Sequence, residues 1–166
     1  MNIMIETYRL QIMPLKAYQL KLLVEDMSSL EKELNCKYCA EPLEREFLDI
    51  VKNQIKKTEK DEANYLYHSF WLIIRKSDKI VVGSACFKDI PNENQEVEIG
   101  YGLGEGFEHQ GYMTEAIQAM CNWAMSQENI FHVIAETEND NTKSENVLKR
   151  CGFVQYQQDK GIWWRL

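Results

Sequence analysis

The sequence predicts an α/β (mixed α+β) fold, in which a mostly antiparallel mixed sheet of about seven strands carries four helices on its faces. Three observations support this prediction. Short β-like runs and longer helical patterns follow one another in the order β-α-α-β-β-β-α-β-α-β-β. Short polar turns separate two pairs of β-like runs, as in hairpins. The chain of 166 residues is long enough for a sizeable core, and we expect a single domain over residues 1–166.

The first half of the chain contains a predicted strand, two helices and a hairpin. Residues 5–13 alternate as a strand, and residues 15–27 have a helical pattern. A second helix is predicted over 42–57, with Pro42 in its first turn. The hairpin spans residues 70–88. The apolar face of the second helix is predicted to contain Leu43, Phe47, Ile50, Val51 and Ile55.

The most informative segment joins a β-like run to a helix through a loop that contains glycine. Residues 97–103 form the run, and the helical pattern begins at Thr114 and continues to about residue 127. The first N–H groups of a helix lack internal partners, and the helix dipole makes this end positive. Gly111 allows a turn and a close approach of a ligand to the backbone. The segment therefore predicts a phosphate site, although an ordinary β-to-α connection has the same order. The core stripe of the helix is predicted to contain Ile117, Met120, Cys121 and Ala124.

A second strand and helix follow, at residues 131–137 and 142–151. Thr142 and Glu145 have the spacing of a capping box at the start of this helix. Gly152 suits the left-handed residue that ends a helix. The chain then closes as a hairpin.

These two loop–helix segments resemble the GNAT superfamily of N-acetyltransferases. The loop Glu108-His-Gln-Gly111-Tyr-Met113 corresponds to the family pattern Q/R-x-x-G-x-G/A, and Asn141 and Ser144 form its N-x-x-S. The stretches E-I-G-Y and G-Y-M-T-E-A are similar to the RimJ/RimL type of protein N-terminal acetyltransferases. Glu108 stands where the family usually has Gln or Arg, and Met113 where Gly or Ala is usual.

The resemblance implies acetyl-CoA as the co-substrate, with no metal. It places the pyrophosphate over the amides of the glycine loop, the pantetheine beside the strand that ends at Leu103, and the thioester oxygen near the N–H of Gly102 or Leu103. Because a carboxylate repels a pyrophosphate, we expect the Glu108 side chain to point to solvent. The residues implied to bind acetyl-CoA are Gly102, Leu103, His109, Gln110, Gly111, Tyr112, Met113, Thr114, Asn141 and Ser144.

The resemblance also implies two catalytic residues. Glu98 would take the proton of the amine, directly or through water; its alternative roles are to bind a cationic acceptor or to hydrogen-bond a loop. Many GNAT proteins carry a tyrosine four residues before the glycine of a final G-F pair, but this position is Leu148 here. Ser144 is then the candidate acid for the CoA thiolate. Its alternative role is to satisfy backbone groups in the first turn of the helix.

The predicted acceptor is a primary amine, either a peptide N-terminus or a small molecule. Deprotonating a lysine at pH 7 costs roughly 4–5 kcal/mol, whereas an α-amine costs only about 1 kcal/mol. Two other functions remain open: a catalytically silent acyl-CoA-binding module, and a partner-binding scaffold without a CoA site.

Composition limits the environment and the partners. The net charge is −7, and residues 61–130 hold eleven acids against four bases, so no basic face for nucleic acid is expected. No apolar run reaches the roughly 18 residues of a membrane span, and no signal peptide is evident, so we expect a cytoplasmic monomer or homodimer. Cys36 and Cys39 form a C-x-x-C without the second ligand pair of a zinc site.

Overall fold

The structure is a computed structural model that describes residues 3–166. Its nine-stranded sheet consists of β1 (Ile5–Glu6), β2 (Leu10–Pro14), β3 (Lys37–Tyr38), β4 (Phe70–Arg75), β5 (Ile80–Phe87), β6 (Glu96–Leu103), β7 (His132–Thr137), β8 (Val154–Gln158) and β9 (Ile162–Arg165). The helices are α1 (Ala17–Glu25), α2 (Met27–Leu34), α3 (Arg45–Lys60), α4 (Tyr112–Met125) and α5 (Thr142–Arg150), with short 3-10 turns at Glu62–Tyr67 and Glu105–Phe107.

The strand order along the sheet is β1-β2-β4-β5-β6-β7-β9-β8. Neighbours are antiparallel except for the pairs β6–β7 and β3–β5, which are parallel. β3 pairs with the first residues of β5, whereas β6 pairs with the rest of β5, so β3 lies beyond the end of β6. The predicted class, a mixed and mostly antiparallel sheet, is confirmed.

Helices cover both faces of the sheet and create two cores. One core packs α4 and the buried Leu148 of α5 against the sheet. The other packs Leu20, Leu30 and Val51, from α1, α2 and α3, against the opposite face. Apolar side chains from alternate positions of the strands enter these two cores, because successive residues of a strand face opposite sides.

The first half of the chain differs from its prediction in four places, which give the sheet nine strands instead of about seven and the fold five α-helices instead of four. The short strand β3 was not predicted. The first strand is divided into β1 and β2 by a turn, in which the N–H of Thr7 donates to the carbonyl of Leu10. The helix α2 was not predicted; Asp26 caps its start by accepting from the N–H of Ser29. α3 begins at Arg45, so Pro42 precedes the helix instead of occupying its first turn.

The buried face of α3 is also rotated from the predicted one. Ile50 is 51% exposed, whereas Val51, Gln54 and Thr58 are buried. Adjacent residues of a helix point about 100° apart, so when Val51 faces the core, Ile50 points away from it. Gln54 and Thr58 can be buried although they are polar, because each donates a hydrogen bond. The amide of Gln54 donates to the carbonyl of His68, and the hydroxyl of Thr58 donates to the carbonyl of Gln54.

In the second half, α4 begins at Tyr112 rather than Thr114, and its predicted core stripe is confirmed. The start of α5 differs from the prediction. The cap is Asn141, whose side chain accepts from the N–H of Ser144, so the predicted box led by Thr142 is wrong. Gly152 has φ +93°, the left-handed conformation predicted for the end of this helix.

Candidate active site

The strands β6 and β7 separate in the middle of the sheet. They pair only at residues 96–98 of β6 and 132–134 of β7. On its other side, β6 pairs with β5 as far as Leu103. One edge of β6 is therefore free of a neighbouring strand beyond Glu98.

The register of β5 and β6 shows which amides of β6 face this gap. The N–H of Lys88 donates to the carbonyl of Glu98, and the N–H of Gly104 donates to the carbonyl of Val82. Hydrogen-bonded pairs alternate in an antiparallel ladder, so Gly102 points its N–H toward β5 and Leu103 points its N–H into the gap. Of the two predicted partners for a thioester oxygen, Leu103 has its N–H available and Gly102 does not.

The N-terminus of α4 presents free amides beside the gap. Gly111 is the N-cap, and the first bond of the helix runs from the N–H of Glu115 to the carbonyl of Gly111. The N–H groups of Tyr112, Met113 and Thr114 therefore have no partner within the helix. The side chains of Tyr112 and Met113 are buried, which leaves their backbone as the part available to a ligand. The methionine at a position where the family favours Gly or Ala is accommodated by the core.

Gly111 is required for a reason that its sequence position did not show. Its φ is +79°, in the left-handed region that side chains disfavour. A Cβ at this position would lie 3.3 Å from Nη2 of Arg9. The glycine thus lets the loop turn, as the sequence predicts, and it also lets the loop pack on Arg9, a contact that the sequence did not indicate.

Arg9 holds the loop and the first turn of α4 together. Its Nη1 donates to the carbonyl of Gln110 at 2.9 Å, and its Nε contacts Oε1 of Glu115 at 2.8 Å. Its guanidinium also lies 4.4 Å from the centre of the Tyr112 ring. Glu115 additionally accepts from the hydroxyl of Thr7 and from the N–H of Arg9. Burial opposes ionisation of Glu115, but these bonds outweigh it and hold its pKa below the usual range.

A cleft of about 930 Å³ connects the N-terminus of α4 with the open edge of β6 and the start of α5. All ten residues that the sequence assigned to acetyl-CoA line it. The volume is typical of a site for an organic ligand. The cleft residues without a predicted role are Tyr101, Phe107, Glu108, Glu115, Gln118, Lys143, Asn146, Val147 and Arg150.

We expected the Glu108 side chain to point to solvent, but it forms an ion pair. Its carboxylate contacts Nζ of Lys143 at 2.6 Å, and this hydrogen bond holds the pKa of Glu108 below its usual range. The ion pair bridges the loop before α4 and the first turn of α5. Lys143 and Arg150 bring positive charge to the lining of the cleft. His109 is highly exposed, with a left-handed φ of +65°.

The Ser144 hydroxyl forms a hydrogen bond with Tyr101, a residue that the sequence analysis did not single out. The hydroxyl oxygens of Tyr101 and Ser144 lie 2.7 Å apart, and the Tyr101 hydroxyl also donates to the carbonyl of Ser144 at 3.1 Å. Burial raises the pKa of Tyr101 to about 12 against the opposing effect of the Ser144 hydrogen bond, so the phenol stays protonated at neutral pH. Leu148, the position of the family's tyrosine, is fully buried.

Glu98 is not part of this cleft. It alternates along β6 with Val97 and Ile99, which enter the core under α4, so its side chain lies on the opposite face of the sheet. There its carboxylate contacts Nζ of Lys88 at 3.1 Å. The structure brings together the ten residues that the resemblance implies for acetyl-CoA, and it places Glu98, the candidate base, on the other face of the sheet.

The residues missed by sequence reasoning differ in how easily they could have been found. Lys143 and Arg150 share a face of α5 with Val147, as their spacing allows. Tyr101 could have been found from strand alternation, which places it on the cleft side of β6. No local pattern connects Arg9 with Gln110, because the contact joins distant parts of the chain.

Other features add little to the site. Within residues 3–166, no group of three or more His, Cys, Asp or Glu side chains is arranged to hold a metal ion. Among the same residues, no helix has the length and apolar character needed to cross a bilayer. All five cysteines are free thiols; Cys39 of the C-x-x-C is exposed, whereas Cys86 and Cys121 are buried.

Comparisons with known proteins agree with the geometry. Residues 9–154 match the family described as the acetyltransferase (GNAT) domain. The uncharacterized N-acetyltransferase YjdG from Bacillus subtilis (strain 168) is 36% identical over 84 residues, which cover 51% of this chain and about half (50%) of that relative. The uncharacterized N-acetyltransferase p20 from Bacillus licheniformis is 24% identical over 158 residues, which cover 87% of this chain and 88% of that relative.

A solved structure shows the same fold. RimL, a ribosomal L7/L12 α-N-protein acetyltransferase in complex with coenzyme A, superposes with a TM-score of 0.70 at 16% identity. The superposition covers 99% of this chain and 97% of that one.

Proposed function

Because the chain belongs to the GNAT acetyltransferase family, we propose that it transfers an acetyl group from acetyl-CoA to a primary amine. The amine attacks directly in a ternary complex. The observation that carries this proposal is the continuous cleft, which joins three free helix amides to the unpaired edge of β6. Such amides suit a pyrophosphate, and a free strand edge suits the amide groups of a pantetheine.

The chain's own groups divide the binding between them. The amides of Tyr112, Met113 and Thr114 hold the pyrophosphate, while Lys143 and Arg150 supply positive charge. The N–H of Leu103 faces the thioester oxygen and stabilises the negative charge that develops on it. Asn141 contributes by fixing the start of α5, since its side chain already accepts from the N–H of Ser144.

Ser144 is proposed as the proton donor to the departing thiolate. When the Tyr101 phenol donates its single proton to the Ser144 hydroxyl oxygen instead of the Ser144 carbonyl, the serine proton is free to point into the cleft. A thiol with a pKa near 8.5 can also leave without a proton donor, so loss of the Ser144 hydroxyl should slow the reaction without abolishing it. The Ser144→Ala variant is expected to lower kcat more than it weakens acetyl-CoA binding; equal kcat in variant and parent would return Ser144 to a structural role.

The acceptor is proposed to be an α-amine or another amine of low pKa. The RimL structure belongs to a protein N-terminal acetyltransferase, which supports a peptide N-terminus. The energetic argument points the same way, because an α-amine near pKa 8 is far easier to deprotonate at pH 7 than a lysine.

Calorimetry with acetyl-CoA and a free-thiol assay with a panel of amines test the function. Gly111→Val is expected to weaken acetyl-CoA binding at least tenfold, because it strains the left-handed N-cap and displaces Arg9. Gly106→Val is the matched control, since a Cβ there would meet no atom within 4 Å. Equal loss in both variants would contradict the phosphate-site assignment. Acetyl-CoA binding without thiol release for any amine would instead favour a silent acyl-CoA-binding module.

A further inference from the structure

A loop after β3 brings a carboxylate onto the face of β6 that lies opposite the cleft. β3 continues along β5 where β6 ends, so residues 39–41 cross the end of β6. A Cβ on Gly104 would lie 2.5 Å from the carbonyl oxygen of Cys39. A Cβ on Gly102 would lie 2.7 Å from Oε1 of Glu41. The Glu41 carboxylate therefore rests directly on the backbone of β6, one residue before Leu103.

Beyond Glu98, where β7 no longer pairs with β6, the residues of β6 that point to this face are glycines. Glu98, Gly100 and Gly102 follow one another on it, and we call these three residues the acceptor strip. At the level where β6 and β7 separate, the two glycines leave room beside the backbone, and Lys88 and Glu41 are the side chains that lie over it. A group that reaches the thioester from the side opposite the cleft would pass along the acceptor strip.

Two carboxylates reach the acceptor strip, and they differ in their partners. Glu98 is paired with Nζ of Lys88 at 3.1 Å, and Lys88 also covers Gly100, where a Cβ would lie 3.2 Å from its Cε. Within residues 3–166, the Glu41 side chain has no hydrogen bond or ion pair. A cation that arrives here therefore meets Glu98 paired with a lysine and Glu41 without a partner.

The surroundings hold the Glu41 loop in place without neutralising its carboxylate. The Tyr38 hydroxyl donates to the backbone carbonyl of Glu41 at 2.6 Å. Burial, aided by the Glu41 carboxylate, raises the pKa of Tyr38, so this donor stays protonated. Burial also raises the pKa of Glu41 itself, which brings it nearer to the range of an effective general base. The other titratable groups against this part of β6 are Cys39 on the loop, Cys86 and Lys88 on the β5 side, and Glu98 on β6 itself. Glu44 and Arg45 follow Glu41 in the chain.

We propose that Glu41 is a catalytic residue that receives the ammonium group of the acceptor and removes its proton. This inference rests on the acetyl-transfer function proposed above. One N–H proton of the ammonium moves to a carboxylate oxygen of Glu41, and the freed nitrogen forms a C–N bond with the acetyl carbon. The C–S bond breaks, and the CoA sulfur leaves as a thiolate that gains a proton. The nitrogen loses its remaining extra proton, and Glu41 returns the first one to water.

The test compares Glu41→Gln and Glu98→Gln, with Glu44→Gln as the control. Glu44 lies on the same loop and is exposed. Steady-state thiol release is measured between pH 6 and 9.5 with acetyl-CoA and a short peptide that has a free α-amine; spermidine serves as a second acceptor. Glu41→Gln is expected to lower kcat about a hundredfold at pH 7, and the loss should shrink toward pH 9.5, where the amine is already neutral. Glu98→Gln is expected to change kcat by less than about tenfold, and Glu44→Gln by less than about twofold.

Two further measurements separate catalysis from folding. Acetyl-CoA affinity should be unchanged in Glu41→Gln, because Glu41 lies outside the cleft. The melting temperature should not fall, since the variant removes an unpaired, half-buried charge. A fall of several degrees together with a kcat loss at all pH values would show a structural role and overturn the proposal.

The possible failures are distinguishable. A kcat for Glu41→Gln within threefold of the parent, or a rise in KM alone, would overturn the base role of Glu41 while leaving acetyl transfer intact. A larger, pH-dependent loss in Glu98→Gln than in Glu41→Gln would assign the base to Glu98 instead. Acetyl-CoA binding by the parent without thiol release for either acceptor would overturn the proposed function, and the role of Glu41 with it.

Discussion

At the scale of single residues, the cleft is lined by two carboxylates, and Glu108 is the one that contacts a cation proposed to bind the phosphates. Glu108 is ionised at neutral pH and paired with Lys143, a cation well placed for a phosphate. The pair joins the loop before α4 to α5, so Glu108 contributes to the shape of the cleft at an electrostatic cost to phosphate binding. Glu108 therefore has two opposing effects on acetyl-CoA binding: its charge repels the phosphates, and its ion pair helps to hold the cleft in shape.

Glu108→Gln is expected to tighten acetyl-CoA binding by a factor of about five at low ionic strength, because it removes repulsion and frees Lys143. The gain should shrink in 1 M salt, where charges are screened within about 3 Å. Calorimetry at two salt concentrations measures it, with the exposed Glu105→Gln as the control. Weaker binding in Glu108→Gln would show that the Lys143 contact is needed to shape the cleft.

At the scale of elements, the N-terminus of α4 depends on the turn between β1 and β2. Thr7 and Arg9 come from that turn and both bind Glu115, in the first turn of α4. Arg9 also holds the carbonyl of Gln110. The loop that presents free amides is thus fixed by a strand pair from the other end of the chain, which reduces the entropy lost when a ligand binds.

Glu115→Gln is expected to lower the free energy of unfolding by about 1–2 kcal/mol at pH 7, because charge-assisted bonds become weaker ones in a partly exposed site. The folded pKa of Glu115 is depressed, so its stabilising contribution is present above the unfolded value of about 4.3 and is lost as pH falls through the folded value. The difference between parent and variant should therefore close in acid. Denaturant unfolding from pH 3 to 8 measures it, with the exposed Glu128→Gln as the control. A difference that stays constant, or grows, as pH falls from 5 to 3 would contradict this account.

At the scale of the whole molecule, the separation of β6 and β7 organises the two sides of the reaction. The cleft approaches the gap from the face covered by α4 and α5, and the acceptor strip approaches it from the face covered by α1–α3. Two cores on opposite faces hold the sheet on both sides of the gap. Acetyl donor and acceptor can thus meet through the sheet without sharing an entrance.

Hydrogen exchange provides a test of this arrangement. The amide of Leu103 faces the gap, and its exchange should slow at least tenfold when acetyl-CoA is bound, because a pantetheine pairs with this edge. The amide of Gly102 points to β5 and should be protected already without ligand. NMR-detected exchange with and without saturating acetyl-CoA compares these neighbouring amides. Equal changes at both positions would indicate general stabilisation instead of strand-edge binding.

Local patterns along the chain predicted the fold class and both loop–helix segments, and the resemblance to the GNAT family implied ten of the residues that line the cleft. They could do so because these features depend on neighbours in sequence, such as a glycine before a helix or apolar residues on one helical face. Two finer predictions were wrong: the residue that caps α5 and the face of α3 that is buried. The assignment of a catalytic role to Glu98 stays a prediction.

What the sequence by itself determined is the order of the elements from β4 to β9 and the presence of a helix N-terminus suited to an anion. Only the tertiary structure decided which distant groups meet there: Arg9 beneath the loop, Tyr101 beside Ser144, and Glu41 on the acceptor strip. These contacts depend on strand register and on loops that cross the sheet, and neither has a local signal in the chain. The same packing turned Glu98 to the face opposite the cleft and paired it with Lys88.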